Sequence, residues 1–279
     1  MPQDSNSGLA GAANAPATLI ILAGQRFGVV NPLASRAGVS HKCLAPICGK
    51  PLISYVLETV TALPDITLIR ISLEPEAHEE VGEIVAGFAP RGIPIEIIPN
   101  QPNIVDSVLR AAGDGEGPFL ITTADNVLIT PEAVAEARAA MQTADAVICL
   151  AAKDRVRAAH PEGQRGFYEF KDNGYANCNL YGIANRKAFA AAEFFREGGQ
   201  FMKNPKRLLR AVGLVNILLM RFKLIDIHGA MRRLSKRFGL TIEAVTFADG
   251  ALAIDVDNER TYSVCEELLP LRKPDEVRL

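Results

Sequence analysis

The stretch that decides the fold is residues 118–152, "PFLITTADNVLITPEAVAEARAAMQTADAVICLAA". Its first part, 118–125, is a short apolar run ending on Asp125, the pattern of a buried strand. Thr130 followed by Pro131 is an N-cap followed by a first helical residue, so 130–142 reads as a helix. Residues 145–152 are a second apolar run. A strand, a helix and another strand in about 35 residues form a crossover unit, and the two strands it joins run parallel.

The same alternation holds toward the N-terminus. Strand-like runs fall at 18–23, 66–73 and 95–99. Helical patterns follow at 51–63, 76–88 and 103–113, the last closing on Gly113. The expectation is an α/β fold: a Rossmann-like, mostly parallel sheet with helices on both faces. Ligands of such sheets sit beyond the carboxyl ends of the strands. The loops after Ala23 and after Ala124 are therefore the ones to read for chemistry.

The second half is less regular. Segments 166–171 and 177–184 flank the turn "DNG" and suggest a hairpin. Residues 186–198 read as a helix, 203–237 as two helices broken near "KLID", 240–247 and 251–256 as strands, and 258–269 as a closing helix. No linker composition interrupts the chain. The expectation is a tail over 1–16, then a single domain over 17–279 with a helical insertion at about 186–238.

Composition narrows the function classes. The chain has 279 residues, is 48% hydrophobic and carries a net charge of −2, so no global basic field points to nucleic acid. The five cysteines are odd in number and only Cys43 and Cys48 are close in sequence. That spacing completes no zinc set, and free thiols in a reducing cytoplasm are expected. The longest apolar run, 211–220, is about half of what a membrane span needs. The first 16 residues lack the basic and apolar regions of a signal peptide.

Four stretches carry chemistry. In "LAGQRFGVVNPLA" (22–34), Gly24 and Gly28 let the backbone approach a ligand, and Arg26 adds a permanent charge suited to phosphate. An ordinary surface loop would look similar. Neither the dinucleotide fingerprint nor the P-loop is present. In "HKCLAPICGKPLI" (41–53), Lys42 and Lys50 each precede a proline turn. Lys42 lies where the chain folds back over the first strand, whereas Lys50 sits between Gly49 and Pro51 and orients the turn or meets a ligand. Asp125 ends a strand at the ligand edge, where it would hold Mg2+ against a triphosphate or cap a turn. Asp255 and Asp257 flank Val256. On a strand both would point to one face, and two like charges so close call for a cation or donors between them.

These residues resemble the MobA-like and sugar-phosphate nucleotidyltransferases, whose start reads L-A-A-G-x-G-x-R, then P-K-x-L-x-P-I-x-G-K-P-L-I. This chain has Leu22-Ala23-Gly24 with Arg26. It then matches in register at Lys42, Leu44, Pro46, Ile47 and Gly49 to Ile53. One glycine of the first block is missing, and His41 stands where the second block has proline. The resemblance implies transfer of a nucleoside monophosphate from a triphosphate to a phosphorylated acceptor. Arg26 and Lys42 would be catalytic, and Leu22, Ala23, Gly24, Gln25 and Gly28 would contact the nucleotide. Mg2+ would be held by Asp125 and by Asp255 or Asp257, the pair that resembles the family's closing D-x-D/N segment. "NIVDSVLRAA" resembles a cytidylyltransferase segment that places Ser107 near the nucleotide. "YANCNLYGI" resembles the acceptor-lining strand and suggests Asn179, with Lys50 as a second acceptor contact.

The competing reading is a non-catalytic nucleotide- or sugar-phosphate-binding module. One segment falls outside the resemblance. Residues 203–237 hold ten lysines and arginines against Asp226 alone, a surplus of nine in a chain of net −2. A packed subdomain with a solvated basic face, an anionic-acceptor site and a peripheral membrane contact all fit that pattern. Exposure of Leu214, Val215, Leu218 and Leu219 would distinguish the membrane reading.

Overall fold

The computed structural model describes residues 16–25, 31–195 and 214–272. Strand β1 (Ala17–Leu22) leads to a short helix α1 (Pro32–Ala37), capped by the Asn31 side chain on the Leu33 N–H. A 3-10 turn at Lys42–Leu44 follows, then a two-residue hairpin of β2 (Pro46–Ile47) and β3 (Lys50–Pro51). Its turn residues Cys48 and Gly49 both have positive φ, 47° and 84°, as a tight hairpin of this length requires. Helix α2 (Leu52–Val60) starts directly from it, and the Tyr55 hydroxyl donates to the Ile47 carbonyl at 2.9 Å, fixing hairpin to helix.

The crossover pattern continues with β4 (Ile66–Leu73), α3 (His78–Ala86), β5 (Ile95–Pro99) and α4 (Ile104–Ala112), then β6 (Phe119–Thr123), α5 (Pro131–Ala140), β7 (Ala146–Ala152) and α6 (Lys153–Ala159). The hairpin of β8 (Tyr168–Glu169) and β9 (Gly174–Ile183) follows. After it come α7 (Leu214–Arg221), α8 (Ile227–Phe238), β10 (Ile242–Phe247) and α9 (Glu259–Leu268).

The strands form one sheet in the order β10-β7-β9-β6-β1-β4-β5, with β8 on β9. The β1/β4, β1/β6, β4/β5 and β7/β10 pairs are parallel, and β9 runs antiparallel between β6 and β7. The expected mostly parallel sheet is therefore present, with helices on both faces. One face packs α2, α3 and α5 on Leu19, Ile21 and Leu120. The other packs α4 and α8 on Ile20, Phe119 and Ile121. Six strand ends point to a common edge, and the functional loops leave from it.

One expectation on secondary structure is corrected. Residues 251–256 are not a strand. Gly250–Ala253 is a 3-10 turn capped by Asp249, and the following residues are extended with no ladder partner. The helix expected at 186–198 is present over Arg186–Phe195, in 3-10 form, seated by Phe189 with its ring 5.2 Å from that of Phe119; residues 196–198 lie outside the described residues. The break near "KLID" is present, at residues 222–226 between α7 and α8. Residues 203–213 and the side chain of Leu214 lie outside the described residues. Val215 and Leu218 are 61% and 45% exposed, whereas Leu219 is half-buried. Among the described residues no helix is long and apolar enough to cross a membrane.

Candidate active site

The 3-10 turn at residues 42–44 aims Lys42 at the end of β6, where its ammonium pairs with the Asp125 carboxylate and lies 3.3 Å from Asp257. Three segments meet there because their backbones are bonded to one another. The Ala124 N–H donates to the Leu22 carbonyl, and the Val256 N–H donates to the Asp125 carbonyl. The Asp257 N–H donates both to the Asp255 carbonyl and, at 2.9 Å, to the Thr261 hydroxyl of α9. Asp255 and Asp257 thus converge on Asp125 through a tight turn rather than through strand alternation.

One carboxylate oxygen from each of Asp125, Asp255 and Asp257 lies within 4.8 Å of the others. Asp255 is buried, and its pKa is pushed well above the carboxylate range by burial and by the charges of Asp257 and Asp125. Burial would lower the Lys42 pKa, but Asp125, Asp257 and Asp255 outweigh it and hold the ammonium above its usual value. Asn179 donates through its side-chain amide to Asp255 at 2.9 Å. It sits where the β7/β9 register shifts, with φ of 48°, and is itself bonded to Asn177. A non-glycine residue held in this region is a local cost that the surrounding contacts sustain.

Three carboxylates and one ammonium leave a formal surplus of two negative charges. The buried Asp125 Oδ1 has no hydrogen-bond partner. All-oxygen donors with a surplus of two charges fit a hard divalent cation. The thiol beside Lys42 plays no part, since burial and Glu74 push the Cys43 pKa up to about 12.

The loop after β1 is braced from within the protein. The Ala23 N–H donates to the Ser72 carbonyl. The Gln25 N–H donates to Glu74 Oε1 at 2.9 Å, and the Gln25 side-chain amide donates to the Ser40 carbonyl at 3.1 Å. Arg26 and Gly28 lie outside the described residues. Ser107 is buried and exchanges two hydrogen bonds with the Gln101 backbone, so in this structure it shapes the loop between β5 and α4. Lys50 is engaged away from the acidic cluster, with Glu58 and over the Tyr55 ring at 5.4 Å.

Sequence reading missed Glu74, His41 and Asn100. Each lies at a strand end or loop on the same edge, but none has a local pattern. Only the meeting of segments 26 to 49 residues apart gives them a role.

Fold and site together define a class: an α/β protein with an acidic, lysine-bearing centre at the carboxyl edge of its sheet, the arrangement of a nucleotidyltransferase. The profile of the MobA-like NTP transferase domain matches residues 19–213, and the chain belongs to that family. No curated protein matches the chain in sequence. A hypothetical transferase from Thermus thermophilus is 24% identical over 88% of this chain and 99% of its own, with a TM-score of 0.70. The 4-diphosphocytidyl-2C-methyl-D-erythritol synthase of Anaerococcus prevotii is 12% identical over 92% of this chain and 99% of its own, with a TM-score of 0.59. A CMP:2-keto-3-deoxy-manno-octonic acid synthetase in complex with CTP is 14% identical over 92% and 100%, with a TM-score of 0.56. These likenesses are of fold. Membership of the family makes the chain a nucleotidyltransferase, not a binding module without activity.

Proposed function

We propose that the chain is a Mg2+-dependent enzyme of the cytoplasm that transfers a nucleoside monophosphate to a phosphorylated small molecule. A phosphate oxygen of the acceptor attacks the α-phosphorus of the triphosphate, and the bond to the bridging oxygen breaks as pyrophosphate leaves. The observation that carries this reading is the Asp125, Asp255 and Asp257 cluster with Lys42 against it. The three carboxylates would hold Mg2+, which when bound neutralises polyphosphate charge. Lys42 lies beside them as a compact ammonium for the charge that develops at the α-phosphate. Arg26, with the backbone between Gly24 and Gly28, would take the outer phosphates. Asn179 would position Asp255 and face the acceptor. A single domain over 17–279 with its insertion at about 186–238 would carry the whole site.

The test is pyrophosphate release from ATP, GTP, CTP and UTP against a panel of sugar, polyol and lipid head-group phosphates, with and without Mg2+. Release that needs both an acceptor and Mg2+ supports the reading. Hydrolysis without an acceptor, or turnover undiminished by chelation, refutes it.

We also propose that residues 203–237 contact an anionic membrane surface, which favours a lipid head-group phosphate or its polyol precursor as acceptor. Supporting this, Val215, Leu218 and Phe222 recur at helical spacing with their side chains exposed, and Leu224 beside them is 64% exposed. Helix α8 presents Arg232, Arg233, Lys236 and Arg237 on its outer side and has no acidic residue. Exposed apolar side chains beside a basic helix complement a negatively charged lipid surface.

A further inference from the structure

Glu74 lies just past β4 and is surrounded by polar groups that the acidic cluster does not use. Its Oε1 accepts from the Gln25 N–H at 2.9 Å and from the Asn100 side-chain amide at 2.7 Å. His41 closes over the other oxygen. Its Nε2 lies 3.3 Å from Glu74 Oε2, at ion-pair distance but without the alignment of a hydrogen bond. The two side chains are only 7% and 16% exposed. The His41 Nδ1 lies 3.1 Å from the Ser40 hydroxyl, and the Ser40 carbonyl accepts from the Gln25 side chain. Glu74 and His41 therefore connect two catalytic parts, the turn after β1 and the segment that carries Lys42.

Gly24 fits the same arrangement. A Cβ there would come within 2.8 Å of the Asn100 amide nitrogen and 3.2 Å of Glu74 Oε1. The glycine is required by the side chains packed under the turn, in addition to any ligand above it. The Gln25 N–H is bonded to Glu74, so the backbone between Gly24 and Gly28 would meet a phosphate through its other N–H groups.

We infer that Glu74 and His41 are positioning residues for triphosphate binding. Together they pin the Gly24–Gln25 turn at a fixed distance from Lys42. The pin touches neither metal ligands nor reacting atoms. Its effect is that the phosphate-facing turn and the lysine are already in register before the triphosphate arrives, so ordering them costs little at binding. The inference rests on the nucleotidyltransferase reading above.

The experiment is calorimetric titration of the full-length chain with each of the four nucleoside triphosphates in Mg2+, on the wild type, Glu74→Gln, His41→Asn and the double variant. For the triphosphate that the wild type binds, Glu74→Gln should weaken binding about tenfold, the scale of one lost charge-assisted contact. His41→Asn should weaken it as well, and the double variant should be within about twofold of Glu74→Gln alone, because both break the same pin. In turnover, KM for the triphosphate should rise while kcat stays within about threefold, a split that simple loss of folded protein does not produce. Should Glu74→Gln fail to fold, His41→Asn carries the same expectation on its own. Binding within twofold of wild type in the folded variants overturns the inference, as does a double variant whose loss is the product of the two singles. A wild type that binds none of the four overturns the nucleotide reading and this inference with it.

Discussion

Asp125→Asn separates the two jobs of the acidic cluster. The substitution keeps the shape of the side chain and removes one of three carboxylates within 4.8 Å of one another. Without Mg2+ two contributions oppose. Lys42 loses its shortest partner, at a cost of about 1–3 kcal/mol for a buried charged group. Repulsion with the buried Asp255 and with Asp257 is relieved, which returns a similar amount. Lys42 keeps Asp257 at 3.3 Å, so its charge is not stranded. The metal-free melting temperature should therefore move by no more than a few degrees. With Mg2+ the result should differ sharply. A cation at a hundred times its dissociation constant stabilises by about 2.7 kcal/mol, or roughly 5 °C for a chain of this size. The wild type should show that rise and Asp125→Asn should not. Turnover should fall by about a hundredfold or more, the effect of a lost metal ligand on transition-state charge. Differential scanning fluorimetry with and without Mg2+, paired with pyrophosphate release, reads both. An equal Mg2+-dependent rise in the variant, or turnover near that of the wild type, would refute the assignment.

Three further outcomes are expected. Lys42→Ala should lose at least about tenfold more turnover than Lys50→Ala, and Lys42→Arg should recover little because a planar fork does not replace a compact ammonium; equal losses in steady-state assays would show the roles to be divided wrongly. Gly24→Ala should weaken triphosphate binding about as much as Glu74→Gln, since the added methyl meets Asn100 and Glu74, and unchanged affinity by calorimetry would show that those side chains yield freely. The protein should sediment with anionic vesicles at low salt and come off as salt rises, each basic residue near the surface contributing about 1 kcal/mol; Val215→Asp with Leu218→Asp should abolish the binding, and equal binding to neutral vesicles would contradict the membrane reading.

The parallel half of the fold was legible because its signals are local. Apolar runs of five to eight residues, Thr130 before Pro131 and Gly113 after α4 each mark an element without reference to its partners. The place of β9 was not legible. The hairpin announces itself through "DNG", but its antiparallel insertion between β6 and β7 depends on strands distant in sequence. "ALAIDV" failed for a related reason. Its alternation suits a strand, yet it joins no ladder and is held by turn bonds to Asp249 and by the bond from Val256 to Asp125. The site divides the same way. Lys42 and the aspartates could be nominated from residue type and resemblance, and the fold brings all four together. Glu74 could not, because its partners Gln25, His41 and Asn100 come from three other segments.

The connection between α7 and α8 is tied to the β8/β9 hairpin. The Lys171 N–H donates to the Ile225 carbonyl, which anchors the link between α7 and α8 to the hairpin. Lys223 reaches Glu169 of β8 at 3.0 Å, and Lys153 at the start of α6 reaches the same carboxylate at 2.9 Å. From this anchored end β9 runs through Asn177 to Asn179 and so to Asp255. Over this stretch β9 is laddered to β8 at residues 174–175 and to β7 at residues 175–177. A surface that held Val215 and Leu218 would load this anchor, from which β9 leads to Asn179 and its hydrogen bond to Asp255.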